Sequence, residues 1–308
     1  MPKKEEIEYE EYESLKNSKF KQQKLPGWRP VPSMFRTVTI FFTLGIVFAG
    51  LGVLILLFSN ESVEEIQRYD DICKFKEECE FQLNISQKMK KNISIYYQLD
   101  KFYQNHPRYI RSRSEAQLKG EDVKLPYIIA SKECDPIITN KDVNRKESQL
   151  LDREEDLAFP CGLLAKYYFN DTFNFTRLNG TPIKFNEDNI ARKSDKKKYK
   201  SIYDSKKHWI NMSDEHFLVW MRPSPFQNFT KLWGRIEEDL DENITVIIKN
   251  NYPVDDFNGS KYIVLKTVNN FGGKNKLLAI GYMIFGGVSI TLGIIFIFGF
   301  KARAKKEK

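Results

Sequence analysis

The run TVTIFFTLGIVFAGLGVLILLFSN, from Thr37 to Asn60, contains 24 residues and no charge, and Arg36 and Glu61 bracket it. At about 1.5 Å of rise per residue a helix of this length reaches roughly 36 Å, enough to cross a hydrocarbon core about 30 Å thick. A second run, LLAIGYMIFGGVSITLGIIFIFGF, from Leu277 to Phe300, repeats the pattern over 24 residues between Lys276 and Lys301. Apolar helices of soluble cores are usually shorter and broken by polar residues. A cleaved signal has an apolar centre of only about 7–15 residues, whereas the first run follows a polar segment at 1–35. The expectation is a two-pass membrane anchor: a tail at 1–35, a helix at 36–59, a large domain at 60–276, a helix at 277–300 and a tail at 301–308.

Orientation follows from Lys and Arg beside the membrane. The amino-terminal tail offers Lys16, Lys19, Lys21, Lys24, Arg29 and Arg36, and the carboxyl tail Lys301, Arg303, Lys305, Lys306 and Lys308. Both termini are therefore expected in the cytosol, with the middle segment lumenal or extracellular. All four cysteines, Cys73, Cys79, Cys134 and Cys161, lie in that segment, and oxidising compartments are where disulfides persist. The nearest pairing in sequence joins Cys73 to Cys79 and Cys134 to Cys161, although four cysteines permit three connectivities. Glycosylation sequons collect there too, at Asn84, Asn92, Asn170, Asn174, Asn179, Asn211, Asn228, Asn243 and Asn258, and none falls in either tail.

Runs such as Ile93–Leu99, Phe217–Trp220, Thr245–Ile248 and Tyr262–Leu265 are β-branched and aromatic. Turn signals separate them, notably Asn250-Asn251-Tyr252-Pro253 and Asn258-Gly259-Ser260, so an antiparallel β-rich, sandwich-like domain with two disulfides is expected. Short helices are expected at Glu61–Tyr69 and Trp233–Leu240. The basic run from Arg192 to Lys207 reads as a solvated loop or, alternatively, as a contact for an acidic partner surface, and the net charge of +8 calls for no nucleic acid. Catalytic signatures are missing: no phosphate loop, no Gly-x-Ser-x-Gly elbow and no His-Glu-x-x-His pair occurs. Neither a cofactor nor a metal is expected, and the chain reads as a non-enzyme. In the second helix Gly286, Ser289 and Gly293 share one face. Such a face lets another helix approach closely, either the first helix or a partner's.

Several longer stretches resemble one family. They are Gln22–Pro30 before the first helix; Phe102-Tyr103-Gln104-Asn105-His106-Pro107-Arg108-Tyr109 through Arg113, followed by Gln117-Leu118; Pro160–Ala165 and Phe169–Phe173; Trp220–Arg222; Phe229–Gly234; Asn250–Val254; and Gly272–Asn275. In this order they are similar to the cell-division-control-protein-fifty and ligand-effect-modulator family, the auxiliary β-subunits of type IV P-type ATPases. One departure is Arg192, where the family usually has Trp. The resemblance implies sequential disulfides and a one-to-one partner, the catalytic α-subunit, which moves aminophospholipids. This chain's implied task is to support that partner's folding, exit from the endoplasmic reticulum and transport cycle. The membranes implied are those of the endoplasmic reticulum, Golgi, endosomes or cell surface. Implied partner contacts are Leu25, Pro26, Trp28, Arg29 and Pro30 in the tail; Tyr103, Asn105, His106, Arg108 and Tyr109 in the domain; and the face of Gly286, Ser289 and Gly293. Lys305-Lys306-Glu307-Lys308 looks like a di-lysine retrieval signal. A two-span ligand-gated channel subunit is the alternative, but four cysteines are few for it and the helices lack a polar pore face.

Overall fold

The structure is a computed structural model that describes residues 12–24, 27, 33–145, 154–199, 204, 206–267 and 273–306. It divides into two compact units, Met1–Leu54 with Leu277–Lys308, and Ile55–Lys276.

Helices α1 (Met34–Glu61) and α2 (Lys276–Lys306), which supply most of the first unit, both outrun their apolar cores at each end. They are long and apolar enough to cross a bilayer, and the chain is a membrane protein. The pair is held by close backbone approach. A Cβ added at Gly286 would lie 2.8 Å from the Ala49 nitrogen and 2.9 Å from the Gly45 oxygen, so only glycine fits that crossing. Phe41 stacks on Phe296 at 5.4 Å and Phe48 on Tyr282 at 5.7 Å.

The second unit is built on two antiparallel sheets. One has five strands in the order β1 (Glu64–Arg68), β8 (Ser260–Thr267), β3 (Ile93–Asp100), β6 (Phe229–Ile236) and β5 (Phe185–Asn186). The other has three, β2 (Glu78–Leu83), β7 (Ile244–Lys249) and β4 (Thr172–Arg177). Aromatic rings bridge the sheets: Phe173 of β4 meets Trp233 of β6 edge-on at 5.0 Å, and Phe175 meets Phe185 at 5.5 Å. The disulfides are Cys73–Cys79 and Cys134–Cys161. Short helices, including Pro107–Arg111, Leu163–Lys166 and Glu215–Trp220, fill the connections.

Four local expectations are corrected. Phe217–Trp220 is helical, because Asp214 accepts hydrogen bonds from the His216 and Phe217 amides and starts a helix there. Phe217, Leu218 and Trp220 are buried within one turn and a half, too short a stretch for a helical period to show. Glu61–Tyr69 holds a strand instead of a helix: Glu64 to Arg68 pair with Lys266 to Tyr262, and Glu64 meets the Lys266 ammonium at 2.8 Å. Trp233 to Ile236 likewise end strand β6. In both places sheet pairing overrides a local helical preference. The Arg192–Lys207 run is not a free loop where described. Lys193–Lys198 is a helix, Lys198 pairs with Glu115 at 3.0 Å, and Asp195 pairs with Arg222 at 3.2 Å. Arg192 itself is exposed.

Candidate partner-binding site

The segment Phe102–Arg113 divides into anchors and display. Phe102 is buried, and its ring meets those of Phe257 at 5.2 Å, Tyr109 at 5.5 Å and Trp220 at 5.6 Å. Gln104 is fully buried and its Oε1 accepts from the Ser224 amide at 2.9 Å. Tyr109 is buried as well, and burial pushes its hydroxyl far above the usual tyrosine range. Tyr103, Asn105, His106 and Arg108 point the other way and are exposed. Asn105 is held in place by donating to the Pro225 carbonyl at 2.9 Å. Phe226, the next residue, is 72% exposed and adds an aromatic that the sequence reading did not single out.

The other quoted stretches close on this one from below. Ser112 donates to the Cys134 carbonyl at 3.1 Å and accepts from the Leu163 amide at 2.8 Å. Gly162, at φ +101°, packs against the Ser112 carbonyl where any Cβ would collide. Gln117 bridges the Ala158 carbonyl and the Cys161 amide at 3.1 and 2.9 Å. The Trp220 indole donates to the Leu164 carbonyl at 2.8 Å. Segments 102–118, 158–165 and 220–229 therefore form one hydrogen-bonded hub under the exposed row.

Beside the hub lies a buried polar knot. Lys261 donates to Asp171 at 2.7 Å and to the Tyr252 carbonyl at 2.6 Å, and also to Asn250. Asp171 accepts further bonds from the Tyr69 hydroxyl at 2.8 Å and the Asn251 and Tyr252 amides at 2.6 Å each. Burial, reinforced by the Asp171 charge, drives the Tyr69 hydroxyl well above its ordinary range. A buried ion pair tolerates loss of water only when its remaining donors and acceptors are satisfied, and this one is. It fixes Asn250-Asn251-Tyr252 beside Asp171.

The sequence description called the LEM3 (ligand-effect modulator 3) family / CDC50 family matches residues 3–306. The chain belongs to this family.

Among related proteins, "ALA-interacting subunit 3" of Arabidopsis thaliana is 33% identical, with 91% of this chain and 84% of that protein covered. "Cell cycle control protein 50A" of Bos taurus is 31% identical, with 91% and 87% covered. "Cell cycle control protein 50C" of Bos taurus is 30% identical, with 91% and 92% covered.

In this LEM3/CDC50 chain the expected contacts separate by position. Leu25, Pro26, Trp28, Arg29 and Pro30 lie outside the described residues. Gly286 packs on Gly45 and Ala49, Gly293 faces the Phe42 ring, and Ser289 is buried with its hydroxyl donating to the Phe285 carbonyl at 2.9 Å. That small face is thus occupied by the chain's own first helix. Of the sequon asparagines, Asn84, Asn92, Asn174, Asn179, Asn211, Asn228 and Asn258 are exposed, while Asn170 and Asn243 are half-buried.

Proposed function

We propose that the chain is the non-catalytic subunit of a phospholipid-translocating P-type ATPase, in a one-to-one complex with the catalytic chain. The observation that carries this reading is the family match across nearly the whole chain, with relatives named as interacting subunits over 84% or more of their length. Two apolar helices flanking one disulfide-bonded domain suit an accessory subunit that grips a larger membrane protein at several levels. The termini are cytosolic, and the intervening domain is lumenal and glycosylated at its sequons. The subunit supports folding of its partner, exit from the endoplasmic reticulum and transport of aminophospholipids, in membranes from the endoplasmic reticulum through Golgi and endosomes to the cell surface. Leu25 to Pro30 engage the partner on the cytosolic side, and Tyr103, Asn105, His106 and Arg108 engage it on the other. An exposed row on a rigid, satisfied base is suited to recognition because little side-chain order is lost on binding.

The test is recovery of the full chain from detergent-solubilised native membranes, with its co-purifying proteins identified and counted. A P-type ATPase at one to one supports the reading; self-oligomers without an ATPase overturn it. The variant Tyr103→Ala/His106→Ala/Arg108→Ala is expected to cut recovered ATPase by roughly tenfold or more, as loss of a central contact does, without lowering the chain's own thermal midpoint.

A further inference from the structure

Phe75 is 95% exposed and sits at φ +63° on the loop closed by Cys73–Cys79. A large aromatic side chain is rarely left in water in a left-handed backbone conformation without a use. The loop is held firmly. The Cys73 amide donates to the Tyr69 carbonyl at 2.8 Å, and the Asn250 side chain donates to the carbonyls of both Cys73 and Lys76 at 3.1 Å. Phe75 lines a cleft of about 400 Å³ that is also lined by Asn258, the acceptor of the sequon Asn258-Gly259-Ser260. That volume falls within the roughly 300–1,000 Å³ of ordinary small-ligand sites. Asn258 is exposed, and its turn is fixed by amides of Asn258 and Gly259 donating to the carbonyls of Asp255 and Val254 at 3.2 and 3.0 Å. Asp71, Lys74, Lys101 and Asp255 belong to its polar lining, with the Lys74 ammonium 5.2 Å from the centre of the Phe75 ring.

We propose that this cleft seats the first sugars of an N-glycan carried on Asn258, with Phe75 as the stacking platform. Amide attachment at the Asn258 side chain places the first sugar at the cleft mouth. An aromatic face, electron-rich at its centre, attracts the polarised C–H groups of a pyranose ring. Asp71, Asp255, Lys74 and Lys101 supply acceptors and donors for its hydroxyls and N-acetyl group. Both edges of the cleft are pinned by the protein's own hydrogen bonds, so the glycan rigidifies against the domain instead of sweeping solvent. The inference rests on the lumenal placement of the domain proposed above.

The experiment uses the full chain from a eukaryotic host, native and as Phe75→Ala, Phe75→Trp, Asn258→Gln and Phe75→Ala/Asn258→Gln. Glycopeptide mass spectrometry reads occupancy, with Asn179 as the reference site. Enzymatic release of the Asn258 glycan from the native protein is expected to quicken at least threefold in Phe75→Ala and to stay unchanged or slow in Phe75→Trp, while Asn179 is released at the same rate throughout. The Phe75→Ala change is expected to lower the thermal midpoint by about 2 °C when Asn258 carries its glycan and by nothing measurable in the Asn258→Gln background. Equal release rates with additive midpoint shifts overturn the proposal. So does loss of ATPase recovery in Phe75→Ala with unaltered glycan release, which assigns the ring to a protein partner. An empty Asn258 beside an occupied Asn179 overturns the glycan seat alone, whereas no glycan at any sequon overturns the lumenal placement with it.

Discussion

Two lysines are buried in the β-rich domain and handled in opposite ways. Lys261, 1% exposed, faces the Asp171 carboxylate and two further oxygens, those of the Asn250 side chain and the Tyr252 carbonyl. Lys231, 8% exposed, has no acidic partner among the described residues; it donates to the carbonyls of Val219 and Arg222, at the end of the Glu215–Trp220 helix. Burial, with the nearby Arg222 charge adding to it, lowers the Lys231 ammonium to about 7. A neutral amine still has two hydrogens, enough to serve both carbonyls. A counterion lets a buried lysine remain a cation and become structural, whereas two carbonyls at a helix terminus leave it able to give up its proton.

The comparison breaks most severely at Asp171. Asp171→Ala leaves the Lys261 charge unpaired and removes the acceptor of Tyr69 and two amides, so unfolding by denaturant is expected to show a loss toward the upper end of roughly 3–5 kcal/mol. Lys261→Met is expected to cost toward the lower end of that range, since Asp171 keeps its hydroxyl and amide donors. For Lys231 the signature is a pH slope. Its folded pKa of about 7 lies below the ordinary 10.5, so between those values the unfolded chain binds more protons. Stability then rises with pH from about 7 upward and is flat in this respect below, with a ceiling of about 1.4 kcal/mol per pH unit. In Lys231→Met that slope is expected to vanish, and denaturant midpoints measured from pH 6 to 10 check it. The smallest effect belongs to Lys266, paired with Glu64 at 2.8 Å near the surface. Lys266→Ala is expected to change stability by less than about 1 kcal/mol, and added salt should shrink the difference further.

The knot also marks where reading the chain by eye stops. The two long helices were legible because bilayer thickness sets a length that few other segments reach, and β3, β7 and β8 because β-branched runs between turn residues have few alternatives. Lys261 was in principle visible, since in β8 it alternates onto the same face as the buried Ile263 and Leu265. Its partner Asp171 is 90 residues away in sequence, and no local pattern connects them. The Phe102–Arg113 motif was legible as a block, but its division into buried Phe102, Gln104 and Tyr109 and exposed Tyr103, Asn105, His106 and Arg108 depends on what packs beneath it. For β1 and the end of β6, from Trp233 onward, the local signal pointed to helix, and only pairing with strands distant in the chain decides otherwise.

That dependence on distant partners has a temporal side. Strand β8, the last of the domain, pairs with β1, the first, and with β3, and the Val63 and Thr267 backbones join where the domain begins and ends. A growing polypeptide halted before Ser260 has β1 with no neighbour and β3 with one edge open, and open strand edges invite wrong pairings. Contacts that span almost the full domain are slow to find. Synthesis therefore delivers this domain almost whole before it can close, and its period of greatest exposure to misassembly coincides with the emergence of the second long helix.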